Sequence, residues 1–487
     1  MGKTLIAKEM RAHLLSFRFL ASFVILFVLV VLTAVVLTGD YVRKLDEYSG
    51  RQAEIDRYLR SYAHFNRIQN VLQPTQPPIP FLALIRGLTA DVNIEAFDDD
   101  PLPVMFPLID LTFIVTILMS LVALILTYDA VSGEKEEGTL KLILANSVPR
   151  SKIILAKAAG AGLTLIGPLL VSLAAGMLVV ILHPRVDWSG ADWGALGLIV
   201  IGAILYSGVF SLIGILVSSV HRSSASSIMT SLFVWTLLVL VVPNLSPYVA
   251  SFLSPAPSRI KIARETARLT DVDRDDLGNK LQAEYQAQVL KDHPVLAERL
   301  PEAEVKKRIA EDPEYRKAYE ANRAASERAW AEANRIQGGK ATLLNEDLAR
   351  KEEAQTDLAR AISMVSPLAD FAYLATDLSS TGTQNQAHFG RLSRLWGQTF
   401  YGLGQQGTQG QGSGYRAKKI EEMRAKDPTV DAWNTAVDMS DAPRFRYMEE
   451  GLGGRVQAAL PPFAVLLGYG VVLFAAAYVA FIRYDVR

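Results

Sequence analysis

The sequence predicts an all-α membrane protein, with six transmembrane helices and a large, mainly helical extracytoplasmic insertion between the fifth and the sixth. Three observations predict it. Six apolar blocks stand at 20–37, 107–127, 153–182, 194–220, 228–242 and 460–482, most of them near the ~20 residues needed to cross about 30 Å of hydrocarbon. A polar stretch of domain size, 243–455, separates the last two blocks. Its central part is rich in Ala, Glu, Arg, Lys and Gln and poor in β-branched residues, a composition that favours long helices. Short loops on one side hold Lys135, Lys141, Arg150, Lys152 and Arg222, whereas the short turn on the other side has only Arg185. That bias puts both termini in the cytoplasm of a multi-pass protein of the cytoplasmic (inner) membrane, and an even number of crossings agrees with it.

Composition excludes several functions. The 487 residues carry 50 basic and 50 acidic side chains, so charge gives no case for nucleic acid. Cys is 0, which removes disulfides, thiolate zinc sites and cysteine nucleophiles. No H-E-x-x-H occurs among the 6 His, and no G-x-S-x-G elbow is present. Gly2-Lys3-Thr4 resembles the tail of a phosphate loop but lacks its glycine-rich lead. Gly402-x-Gly404-x-x-Gly407 has the form of a dinucleotide fingerprint, yet no strand precedes it and no apolar helix follows. It reads as a low-complexity loop. No catalytic residue, metal site or bound cofactor is expected in this chain.

In order, residues 1–38 read as a basic amphipathic helix (Lys3, Lys8, Arg11, Arg18) leading into an uncleaved first span. The next unit, 39–106, is a polar loop whose helix, 41–71, ends at the proline cluster QPTQPPIP. Spans two to five occupy 107–246; spaced glycines in the third and fourth (Gly160, Gly167, Gly202, Gly214) suit close helix contacts. Within 247–458, residues 258–363 read as a helical hairpin or stalk, with Leu281, Tyr285, Val289, Tyr319 and Trp330 as its apolar stripes. Phe389, Leu392, Trp396 and Phe400 fall on one helical face and read as buried core. Residues 459–487 hold the sixth span and a basic tail. Asp110 and Lys157 fall inside span limits, each within about a turn of an end, where water or headgroups would reach them. With no charge in mid-span, an ion-coupled transporter or an intramembrane protease is disfavoured and the energy must come from elsewhere.

The most informative stretch is 129–157, DAVSGEKEEGTLKLILANSVPRSKIILAK, which lies between two spans and is too polar to enter a bilayer. Glu134, Glu136 and Glu137 crowd its opening, where a helix N-terminus favours negative charge. Leu140, Ile143 and Leu144 follow at i, i+3, i+4, predicting one short amphipathic helix over 132–146 that Pro149 closes.

This run resembles the cytoplasmic coupling segment of ABC-2-type transporter permeases. Matching positions are Ser132, Glu134, Gly138, Thr139, Leu140, Ile143, Pro149, Arg150, Ile153, Ile154, Leu155 and Lys157. The stretch FLALIRGL, at 81–88, bears a weaker likeness to permeases of copper-enzyme maturation. The resemblance implies the membrane subunit of an ATP-driven exporter, not itself an ATPase. Its partners would be a separate ATP-binding cassette subunit carrying ATP and Mg, a second permease copy, membrane lipid and, given the size of the insertion, a periplasmic or surface protein. The ATPase-coupling residues would be Ser132, Gly133, Glu134, Glu137, Gly138, Thr139, Leu140, Ile143, Leu144, Pro149 and Arg150. Glu134 and Glu137 would meet basic groups of the ATPase, Leu140, Ile143 and Leu144 would fill its groove, and Gly138 would permit close approach. A rigid turn at Pro149 would re-aim the third span. The large insertion leaves a second expectation open, a force-transmitting subunit that acts on an external partner and moves no substrate.

Overall fold

In the computed structural model, the described residues are 2–61, 63–65, 67–87, 109–145, 149–298, 300–401, 414–427 and 430–483. Among them six helices are long and apolar enough to cross a bilayer. No strand occurs among them; one isolated bridge joins Ala63 to Val437. The expected start of the second span at 107–108, the low-complexity loop at 402–413 and the residues after Arg483 lie outside the described residues.

The chain opens with α1 (Gly2–Leu14), and α2 (Phe17–Ser61) is the first span. It has no break where the apolar run ends. Its 45 residues make a rod of roughly 68 Å at about 1.5 Å per residue, so span and outer helix are one element. A one-turn helix (Ile68–Val71) and a 3₁₀ turn (Pro80–Ala83) follow. The second span, α3 (111–127), starts at Asp110, whose carboxylate accepts from Phe113 N at 2.7 Å and Arg86 N at 3.1 Å. Asp110 is therefore an N-cap, and its position at a span end follows from that role.

After α4 (Ser132–Glu136) and α5 (Thr139–Ala145) come the third and fourth spans, α6 (Arg150–Leu182) and α7 (Gly190–Val220). The fifth, α8 (Ser224–Leu253), runs well past Pro243, where the sequence pattern places its end. A π-helical turn, Thr236–Val241, stands just ahead of that proline. Its wider hydrogen-bond spacing accommodates a residue without an N–H, and the helix continues. The sixth span, α15 (Leu452–Ile482), likewise begins before Pro461 and Pro462.

α1 and the last turn of α15 lie at the bundle end that carries α4 and α5. Lys157 on α6 reaches Glu9 on α1, and Arg150 Nη1 donates to Ile482 O at 2.7 Å. At the opposite end stands the insertion. It comprises α9 (259–292, with a π turn at Arg268–Asp273), α10 (Glu302–Glu311), α11 (Pro313–Ser363), α12 (Pro367–Leu378), α13 (Thr383–Tyr401) and α14 (Tyr415–Lys426). α9 packs along α11, with Gly278 under the Trp330 ring, whose Nε1 donates to Gln282 at 2.8 Å. Of the aromatic face of α13, Phe400 is buried while Phe389, Leu392 and Trp396 are half-buried. Phe400 is fully buried and stacks on Trp396, and Phe389 meets Phe445 edge-on.

One part of the insertion does not stay outside the bundle. α12 folds back among the spans, placing Phe371, Leu374 and Ala375 in the same core as Tyr206 and Phe210. Gly202 of α7 makes room for it, since a Cβ there would stand 2.8 Å from Leu374 Cδ2.

Candidate functional site

The segment between the second and third spans is built as an anchored platform. Val131 N and Ser132 N both donate to Ser218 Oγ at 2.9 Å, and the Ser132 and Ser218 hydroxyls lie 3.1 Å apart. Lys135 Nζ donates to Ser219 O at 2.5 Å and to His221 O at 2.9 Å. These are carbonyls at the C-terminus of α7, the end that attracts cations. Ser224 Oγ donates to Glu136 Oε2 at 2.6 Å, tying the start of α8 to the same platform.

The expected single helix over 132–146 is two helices. Gly138 has φ +73°, a left-handed conformation that stops α4 and turns the chain into α5. A Cβ on Gly138 would meet nothing within 4 Å, so the glycine serves the turn; the close approach expected for it is not made within this chain.

The apolar residues also divide differently from the expectation. Leu140 is 1% exposed and packs on Val131, Ile153, Ile154, Ile215, Ala477 and Phe481, with Ile143 half-buried beside it. Both fill this chain's own core, because i and i+3 face the spans. Leu142, between them, is 69% exposed. The side chain of Leu144 lies outside the described residues, as do residues 146–148. Pro149 is exposed, and Arg150 is half-buried against the end of α15.

Glu134 turns inward. Its Oε1 lies 2.8 Å from Lys157 Nζ, and Glu9 Oε1 lies 3.4 Å from the same nitrogen. Lys157 is 3% exposed, so it is not the solvated span-end residue the sequence suggested. Two carboxylates from two different helices hold it. The basic group expected opposite Glu134 is thus supplied within the chain, while Glu136 and Glu137 face solvent. Arg18 on α2 closes the arrangement, with Nη1 2.7 Å from Asp129 Oδ2 and its guanidinium over the Tyr128 ring. Beside this cluster, burial pushes the His13 imidazole below its usual value; Glu9 and Asp129 oppose that shift, and Lys157 adds to it.

Of the expected coupling residues, the structure gathers Ser132, Gly133, Glu134, Thr139, Leu140 and Ile143 into one anchored unit. Glu137 and Gly138 stand on its outer surface. Sequence reasoning missed Glu9 and Ser218. The available signal was an acid in an otherwise basic first helix, facing a lysine buried early in an apolar span.

A profile of the family described as ABC-2 family transporter protein matches residues 3–486. The chain belongs to the ABC-2 family of transporter proteins. Among curated proteins it is similar to two described as probable ABC transporter permease protein NosY. One, from Stutzerimonas stutzeri, is 35% identical over 131 residues, 27% of this chain and 48% of the relative. The other, from Pseudomonas aeruginosa, is 34% identical over 132 residues with the same coverage, 27% and 48%. The chain's match spans about half the length of these relatives. In this ABC-2 chain α4 and α5 contact α6, α7 and α15 at one end of the bundle.

Proposed function

We propose that this chain is the permease subunit of an ATP-driven ABC-2-type transporter. It couples ATP hydrolysis by a separate ATP-binding cassette subunit to export of a substrate across the cytoplasmic membrane. ATP and Mg sit on that partner, two permease copies pair, and both termini face the cytoplasm. The observation that carries this reading is the two-sided construction of α4 and α5. Their inner side is locked to the spans by Ser132, Glu134, Lys135 and Leu140. Their outer side offers Glu136, Glu137, Lys141 and the exposed Leu142. That solvent-facing side is where a partner would dock.

The test is affinity purification in mild detergent with the co-purifying chains identified and assayed for ATPase activity. Glu137→Arg with Leu142→Asp is expected to lower ATPase association at least tenfold while leaving the permease monodisperse. Unchanged association would overturn the docking assignment.

A specific observation favours a second reading, in which the complex passes force to an external partner without moving a substrate. Between α9, α11 and α14 the insertion carries an open groove of about 1770 Å³, lined by Tyr285, Trp330, Arg335, Arg416, Arg424 and Trp433 among others. A continuous cavity between paired copies in a map of the complex would support export. Spans packed shut would support force transmission.

A further inference from the structure

The core-packed helix α12 is the returning arm of a re-entrant hairpin. Just beyond the end of α8, Arg259 Nε lies 2.6 Å from Glu352 Oε1. From Glu352 to Ser363, α11 descends roughly 16 Å at about 1.5 Å per residue alongside α8. The chain reverses at 364–366, and α12 climbs back. The reversal meets three spans near their midpoints. Ser366 Oγ donates to Leu238 O at 2.5 Å, Tyr469 Oη donates to Val365 O at 2.7 Å, and Phe371 packs on Tyr206 with ring centroids 5.4 Å apart. α12 has 12 residues, too few to cross a bilayer, so it enters to mid-depth and returns.

Asp370 lies in the first turn of α12, close to that depth. It is 0% exposed, and among the described residues neither carboxyl oxygen has a hydrogen-bond partner. The groups on neighbouring elements are committed elsewhere. The hydroxyl of Tyr469 on α15 goes to Val365 O, and that of Tyr206 on α7 goes to Thr116 O at 2.7 Å. Arg360 on α11 is 2.6 Å from Asp377 and lies over the Tyr373 ring, whose hydroxyl meets Ser363 Oγ. On α13, His388 meets Met448 O and Arg391 meets Glu450. α3 and the π turn of α8 bring no charged side chain to α12. A bare carboxylate here is disfavoured far more strongly than the neutral acid.

We propose that Asp370 is a proton-binding site at mid-membrane depth that latches the re-entrant hairpin. The protonated acid keeps 354–378 seated among the spans. Loss of the proton creates an uncompensated charge, and the hairpin withdraws toward the insertion. Proton and seated state stabilise each other, because the proton binds tightly only to the seated form. The latch belongs to this chain alone and stands or falls apart from the ATPase reading.

The test uses the full-length chain alone in lipid nanodiscs. Infrared spectroscopy should show a protonated-carboxyl carbonyl band in the wild type that is missing in Asp370→Asn and shifted in Asp370→Glu. The chain has no Cys, and Ala375 is fully buried in the seated form, so Ala375→Cys is a clean reporter for a membrane-impermeant maleimide. Its labelling should rise several-fold as pH is raised, and should stay low at all pH values when combined with Asp370→Asn. The proposal is overturned if wild type and both variants share the same carboxyl spectrum. It is equally overturned if labelling of the Ala375→Cys reporter ignores pH, or changes with pH to the same extent in the Asn background.

Discussion

Lys157 Nζ lies 2.8 Å from Glu134 Oε1, a polar tie between the loop joining the second and third spans and the body of the third. Removing the lysine would leave Glu134 and Glu9, in a site with little water, only the exposed Lys8 at 3.8 and 3.5 Å as a cationic partner. Breaking a buried ion pair from one side costs about 3–5 kcal/mol. Lys157→Met should therefore lower the thermal midpoint in detergent clearly. Glu134→Gln should cost less, because Glu9 continues to hold the lysine. The pair is structural only if a double-mutant cycle between positions 134 and 157 shows coupling; additive effects would rule that out.

Gly138 sets the angle between α4 and α5. An alanine at φ +73° carries a left-handed penalty of roughly 1 kcal/mol, and asparagine less. Since a Cβ meets no atom there, that conformational cost is the whole effect. Gly138→Asn should sit between wild type and Gly138→Ala in thermal midpoint, with Gly138→Val lowest. Equal stability for all four would show that the turn is not under this constraint.

The six spans were legible because bilayer thickness imposes a length that a long apolar run reveals. The anchored platform was partly legible, since Ser132, Glu134 and Leu140 stood out by type and spacing. Two kinds of feature were not. Lys157 was visible as a charge, but its partner Glu9 is 148 positions away, and no local pattern links them. The core-packed helix α12 was hidden for a different reason. α12 is 12 residues long and carries Asp370 and Asp377, so it is shorter and more polar than any span and merges with the insertion around it. The search for buried charge covered the spans alone, so Asp370 on α12 was passed over. Likewise, Pro243 looked like an end until the π turn before it showed how the helix continues.

At the opposite end of the bundle, Arg455 fastens the sixth span to the fourth. Its Nη1 is 2.9 Å from Asp192 Oδ1, its Nη2 is 3.0 Å from Glu449 Oε2, and its Nε donates to Glu450 O at 3.0 Å. Asp192 also completes the capping box with Ser189 at the start of α7. Arg455→Met should lose about 3 kcal/mol, and Arg455→Lys should recover only part of it, because an ammonium cannot make the forked contact. Thermal unfolding in detergent measures this, and a fully restored lysine variant would show that charge alone suffices.

Acid should loosen α1 from α6. Burial holds His13 below its usual value of 6.5, so the undocked helix binds a proton more readily than the docked one. Between the lowered value and 6.5, docking then strengthens as pH rises and is lost as pH falls. Glu9 and Asp129 temper the penalty on the charged ring, and Lys157 increases it. Hydrogen exchange, corrected for intrinsic rates, should show residues 2–14 less protected at about pH 5.5 than at about pH 7.5. His13→Gln should flatten that difference while leaving the protection of α7 unchanged. Should the Gln variant keep the full pH dependence, the titrating group is another one.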